Sequence, residues 1–158
     1  MLIFACGKDP KKTNEKPLEE KSPMEMTPKE FKESLQQRKL TDSDLVPLNM
    51  KSDGIGPIKS FQFGDLDDEM ADKGQKIFKQ KCTTCHNAKK KMIGPAMKGI
   101  YDKRSPAWVM NMMLNPTEML KKDPAAIALL NEYNKVPMIN QNLTEEEARA
   151  LAEYFRTL

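Results

Sequence analysis

The sequence predicts an all-α domain, on three observations. Proline follows a good cap residue at Ser105-Pro106 and again at Asp123-Pro124. Thr144-Glu145-Glu146-Glu147 spells a capping box, with Thr144 as the cap and Glu147 reaching back to it. Beyond residue 66, no segment alternates apolar and polar residues as a half-buried strand does. Four to five short helices are expected, preceded by a polar tether and an arm.

The first helix of the domain is expected to start at Asp65, Asp67 or Asp68, where negative charge suits a helix N-terminus. Met70, Gly74, Ile77 and Phe78 then fall at i, i+4, i+7 and i+8 on one apolar face. Glycine inside a helix costs about 0.5–1 kcal/mol relative to alanine, so Gly74 points to a second backbone passing close. The Ser105-Pro106 helix carries Trp108, Val109, Met112 and Met113, and the Asp123-Pro124 helix carries Ile127, Leu130 and Tyr133. Asn115-Pro116 reads as punctuation between them. The last helix presents Ala148, Leu151, Ala152, Phe155 and Leu158 as its apolar stripe.

The chemistry lies in Cys82-Thr83-Thr84-Cys85-His86, and His86 is the only histidine in 158 residues. Cys-x-x-Cys-His is the attachment sequence of c-type haem: two thiols add across the vinyl groups and the histidine binds iron. The competing readings fit poorly. Zinc wants four ligands, and the chain offers only Cys6, Cys82, Cys85 and His86, with Cys6 far away. A redox dithiol is expected after a strand in a βαβ pattern, whereas helix leads into this motif. One covalent haem c is therefore expected. A buried haem would also supply apolar core to a domain of about ninety residues, which has little of its own.

Gly74-Gln75-Lys76-Ile77-Phe78 resembles the N-terminal helix of class I cytochromes c. Ile93-Gly94-Pro95-Ala96-Met97-Lys98-Gly99 resembles that family's Gly-Pro-x-Leu-x-Gly segment. Val136-Pro137-Met138, with the closing helix through Tyr154-Phe155, resembles its axial-methionine loop. The resemblance spans residues 67–158 in the family's order. It implies iron held by His86 and Met138, with the Pro95 carbonyl orienting the histidine ring, and Gly74 and Phe78 set against Leu151 and Tyr154. Of twelve methionines, Met97 stands where the family has a core leucine, so packing is its expected role. Ile139 departs from the proline that often follows the ligand. Trp108 either meets the haem edge or packs in the core.

With both axial positions filled, electron transfer is expected and neither catalysis nor a small-molecule substrate; no other acid–base or nucleophile constellation is present. Lys73 to Arg104 holds nine lysines and one arginine against the single acid Asp102. That excess suits redox-protein partners docking at a basic haem edge, although Lys89-Lys90-Lys91 also reads as a solvated run. Net charge is +3 without aromatic–basic interleaving, which argues against nucleic acid.

Ile3-Phe4-Ala5-Cys6-Gly7 resembles a bacterial lipobox, so residues 1–6 are expected to be the remnant of a lipoprotein signal, trimmed or misassigned at its start, with Cys6 as a lipid anchor. The alternative is a free cysteine at a frayed end. Residues 7–26, rich in Lys, Glu and Pro, read as a disordered tether. Residues 27–66 read as an arm, in which Thr27-Pro28-Lys29-Glu30 is a capping-box start for a short helix carrying Phe31 and Leu35. The expectation is a tethered electron carrier on the periplasmic face of a bacterial cytoplasmic membrane, or exported to the periplasm, between a quinol-oxidising complex and a terminal reductase or oxidase. Small lipoprotein cytochromes with this layout in some cases accompany nitrous oxide reductase. Alternatives are a haem peroxidase or gas sensor whose methionine dissociates, and a fixed subunit of a larger respiratory complex.

Overall fold

The computed structural model describes residues 51–158 and, before them, Thr27, Lys29, Glu30 and Glu33. Cys6, the 7–26 tether, Phe31 and Leu35 lie outside the described residues. Thr27 and Glu30 exchange both bonds of a capping box: the Thr27 N–H donates to Glu30 Oε2 (2.8 Å) and the Glu30 N–H to Thr27 Oγ1 (3.3 Å).

Residues 51–158 form five α-helices and no strand: α1 (Asp68–Lys81), α2 (Pro106–Leu114), α3 (Pro116–Lys122), α4 (Pro124–Glu132) and α5 (Glu145–Arg156). A single 3-10 turn, Ile100–Asp102, sits between α1 and α2. Side-chain caps set most of the starts. Asp67 accepts the Met70 N–H (2.9 Å), Ser105 that of Trp108 (3.0 Å) and Asp123 that of Ala126 (2.9 Å). The Thr144–Glu147 box is closed in both directions, at 3.0 and 3.1 Å. Asn115-Pro116 does more than punctuate. Proline at the first position opens α3, although Asn115 makes no side-chain cap bond.

α1 and α5 cross face to face. Ala71, Gly74, Ile77 and Phe78 are buried on α1, with Met70 only half-buried beside them. On α5 the Leu151, Tyr154 and Phe155 side chains are buried, and Phe78 meets the last two at 5.6 and 5.8 Å between ring centroids. Gly74 touches the chain at Ala150, one residue before the expected Leu151: a Cβ there would lie 2.0 Å from the Ala150 carbonyl oxygen. α2 is buried on nearly every face, including Ala107, Trp108, Val109, Met110, Asn111 and Met113. A helix apolar all round needs cover on all sides.

Residues 51–66 supply that cover. They have no regular structure, so their backbone groups are satisfied by side chains of the helices. Asn111, fully buried, donates to the carbonyls of Asp53 and Ile58 (both 2.7 Å) and accepts the Ile58 N–H (3.0 Å). Ser105 Oγ donates to Ser52 O (2.6 Å), and Asn115 Nδ2 to Ile55 O (3.2 Å). Ile55, Ile58, Phe61 and Phe63 pack against the core. Phe63 stacks edge-on against Tyr101 at 5.0 Å, and Tyr101 Oη donates to Ala152 O (3.0 Å).

Candidate haem-binding site

α1 delivers the cysteine–histidine motif at its C-terminus. The Cys82 N–H bonds back to Phe78 O (3.0 Å), and Thr83 Oγ1 donates to Lys79 O (2.9 Å). The Cys82 carbonyl then accepts the N–H groups of both Cys85 (3.1 Å) and His86 (2.9 Å). This tight turn swings His86 back beneath the motif. Both cysteines are free thiols, Cys82 half-buried and Cys85 exposed. Burial pushes the Cys82 thiol up to about 11, with the Lys81 charge pulling weakly the other way. A redox dithiol needs the opposite shift, toward thiolate. Zinc also lacks a site: among the described residues, no three Cys, His, Asp or Glu side chains are grouped to hold a metal ion.

His86 Nδ1 lies 3.0 Å from the Pro95 carbonyl oxygen. A carbonyl only accepts, so Nδ1 carries the proton and Nε2 keeps the lone pair that binds a metal. Gly94 makes this approach feasible. Its N–H donates to Cys85 O (2.8 Å), and a Cβ on it would sit 2.4 Å from His86 Cε1. The loop closes at its base through Met97 N–H to Asn87 O (3.3 Å) and Lys98 N–H to Ala88 O (2.8 Å).

Met138 is half-buried against the core, in the irregular segment between α4 and α5. Asn134 (φ 57°) and Lys135 (φ 59°) turn the chain into this segment, and Asn142 (φ 51°) turns it out, all in the left-handed region. The Thr144 capping box fixes its far end. Met97, Met110, Met113 and Met119 are packed in the core. Trp108 is packed there too: it is buried and donates from Nε1 to the buried Asp123 carboxylate (3.0 Å).

Sequence reasoning missed the apolar rims of the site. Among the described residues, five large apolar side chains are exposed: Leu66, Met92, Ile93, Val136 and Ile139. The last four flank the Gly94-Pro95 turn and Met138, and Ile139 is 73% exposed. Exposed apolar groups gathered on two segments mark a surface meant to be covered. A thioether, an imidazole with a free Nε2, two free thiols and exposed apolar side chains are the groups that a haem would use. Ion pairs tie the neighbouring elements: Lys91 pairs with Glu132 at the end of α4 (3.7 Å), and Lys81 at the end of α1 with Glu147 of α5 (3.2 Å). The Thr144 N–H and then Lys81 hold the Glu147 carboxyl below the usual carboxylate range.

A family model, Cytochrome c, matches residues 71–158. The chain belongs to the cytochrome c family. It is 32% identical over 90 residues to cytochrome c-551 of Stutzerimonas stutzeri, a match covering 56% of this chain and 80% of that protein. With cytochrome c-551 of Ectopseudomonas mendocina it is 33% identical over 86 residues, covering 54% and 96%. Among solved structures, a cytochrome c from Rhodothermus marinus superposes with a TM-score of 0.62 at 34% identity, covering 72% of this chain and 93% of that one. That share is larger than residues 71–158 can supply, so the structural match runs into the segment before α1. The chain is thus a c-type cytochrome electron carrier with covalently bound haem c.

Proposed function

We propose that this cytochrome is a periplasmic one-electron carrier whose haem is bonded to Cys82 and Cys85 and ligated by His86 and Met138. The observation that carries the assignment is the His86 Nδ1 to Pro95 carbonyl contact of 3.0 Å, which holds the imidazole in the metal-binding tautomer. Bound haem c supplies a one-electron iron couple, and a methionine ligand raises its potential. The residues do the rest: Pro95 orients, Gly94 lets His86 seat, and Met92, Ile93, Val136 and Ile139 shield the ring. With His86 and Met138 both holding the iron, no position would be left open for a substrate. Among the described residues no helix is long and apolar enough to cross a membrane. The lipobox-like Ile3-Phe4-Ala5-Cys6-Gly7 supports attachment through a lipid on Cys6. The carrier then works between a quinol-oxidising complex and a terminal reductase or oxidase, with nitrous oxide reductase a candidate acceptor.

The test is Met138→Ala in the oxidised holoprotein. The weak absorption band at the red edge of the visible spectrum, a mark of methionine ligation, should disappear and the reduction potential should fall. A band that survives moves the ligand to another methionine.

Partner docking uses the basic surface. Within it Lys73, Lys81 and Lys91 are engaged by Glu146, Glu147 and Glu132. Lys76, Lys79, Lys89, Lys90 and Lys98 are exposed and in no ion pair among the described residues. Reversing Lys79, Lys89 and Lys98 to Glu should slow electron transfer to an acidic partner about ten- to a hundredfold at low salt. The loss should shrink as salt shortens the screening length toward about 8 Å. Stopped-flow rates across a salt series decide it, and equal rates at low salt would leave these lysines as solvated surface.

A further inference from the structure

Lys91, exposed like the rest of the Lys89-Lys90-Lys91 run, is the member whose side chain reaches α4. Its ammonium sits 3.7 Å from Glu132 Oε1 and 4.2 Å above the centre of the Tyr133 ring. Both partners close α4, where the chain is about to enter the Met138 segment. The Lys135 N–H bonds to Leu130 O (2.8 Å) and the Val136 N–H to Tyr133 O (3.2 Å), so the end of α4 and the entry to that segment move together. On its own side, Lys91 lies four residues before Pro95, in the loop whose base is closed next to His86. Lys91, Glu132 and Tyr133 line one cavity of about 430 Å³ with Pro95, Ile100 and Leu129. The pin therefore shares a wall with the residue whose carbonyl holds His86.

We propose that Lys91 is a positioning residue that fastens the Met138 segment to the Gly94-Pro95 loop and thereby sets how readily Met138 gives way to an external ligand. The proposal rests on Met138 as the iron ligand. Backbone strain provides something for the pin to hold. Asn134 and Lys135 both adopt left-handed φ angles directly after Tyr133; asparagine tolerates that region, but a lysine holds it only with support from its surroundings. Two weak contacts made by the same ammonium, an ion pair and a ring contact, supply part of that support. Loss of the pin shifts the population toward a displaced Met138 segment, and any ligand that binds only the displaced state gains apparent affinity in proportion.

The experiment is an imidazole titration of the ferric full-length holoprotein, followed at the red-edge band. Lys91→Met should bind imidazole about three- to tenfold more tightly than the parent. Lys91→Arg keeps the charge, the ion pair and the ring contact, and should restore the parent affinity. Lys90→Met removes a neighbouring exposed charge without touching Glu132 or Tyr133 and should change nothing. An unchanged affinity in Lys91→Met, or an equal rise in Lys90→Met, would overturn the proposal, the second because mere loss of positive charge would explain it. Failure of the ligand assignment reads out separately, as a red-edge band that survives Met138→Ala, and it would overturn the pin as well.

Discussion

Glu153→Gln should destabilise this cytochrome by about 3 kcal/mol, the low end of the 3–5 kcal/mol typical when one partner of a buried ion pair is removed. Glu153 is wholly buried. Its carboxylate accepts the Asp67 N–H (2.9 Å) and faces two guanidiniums, Arg149 and Arg156. Those arginines are committed to it. Arg149 lies over the Phe61 ring (4.8 Å), and Arg156 lies over Phe63 (4.5 Å) and donates to Gly64 O (3.0 Å). One acid thus fastens the covering segment to α5 and holds the start of α1. Without its charge, two guanidiniums lose their counterion. Each keeps about a fifth of its side chain in water (23% and 22%), which is why the low end of the range applies.

The same group sets an acid limit. Burial opposes its charge, but the Asp67 N–H and the two arginines outweigh it and hold the carboxyl below the usual glutamate range. A carboxyl whose folded-state pKa is depressed stabilises the fold above the unfolded value of about 4.3, and that stability drains as pH falls through the folded value. Urea unfolding of the parent should therefore show stability rising as pH is raised to about 4.3 and flat above it with respect to this group. In Glu153→Gln that part of the slope should vanish. If the variant keeps the parent's full slope, other carboxyls carry it and Glu153 is not the acid-sensitive clasp.

What could be read from the sequence was local. Ser105, Asp123 and Thr144 announce their helices because a cap is a contact across three residues. Asn115 makes no such bond, and α3 went unannounced. His86 and the two cysteines stand out as a contiguous motif; Pro95 and Met138 were assigned through resemblance, and the structure sets the Pro95 carbonyl against His86. Long-range burial was not legible. Glu153 reads as an ordinary polar position on an amphipathic helix, and only Asp67, 86 residues away, and the two stacked arginines make it a core residue. Asn111 is likewise a polar residue in an apolar helix until residues 53–58 fold over it. The rim residues Met92, Ile93, Val136 and Ile139 look like any other apolar residues, because composition does not say which of them the fold leaves outside.

Gly74→Ala should destabilise by about 2 kcal/mol, with the opposite sign to the usual effect of alanine in a helix. Helix propensity alone favours the substitution by about 0.5–1 kcal/mol. Against it stands the contact at the α1–α5 crossing: the new Cβ would lie 2.0 Å from Ala150 O, 2.5 Å from its carbonyl carbon and 2.9 Å from Tyr154 Cβ. Overpacking costs about 1–3 kcal/mol when neighbours can shift, and the upper end applies here because the main obstacle is backbone. The helices must separate, which loosens Phe78 from Tyr154 and Phe155 at the same time. Trimming the opposing side chain cannot help, since the clash is with a carbonyl; Ala150→Gly added to Gly74→Ala should recover nothing. Gly64 is the control, because a Cβ there meets nothing within 4 Å. Gly64→Ala should be neutral or slightly stabilising, by up to about 1 kcal/mol through the unfolded chain. Urea unfolding of the three variants beside the parent holoprotein separates the cases. Equal stability of Gly74→Ala and Gly64→Ala would mean that α1 and α5 cross with room to spare, and that the glycine at the crossing serves no packing purpose.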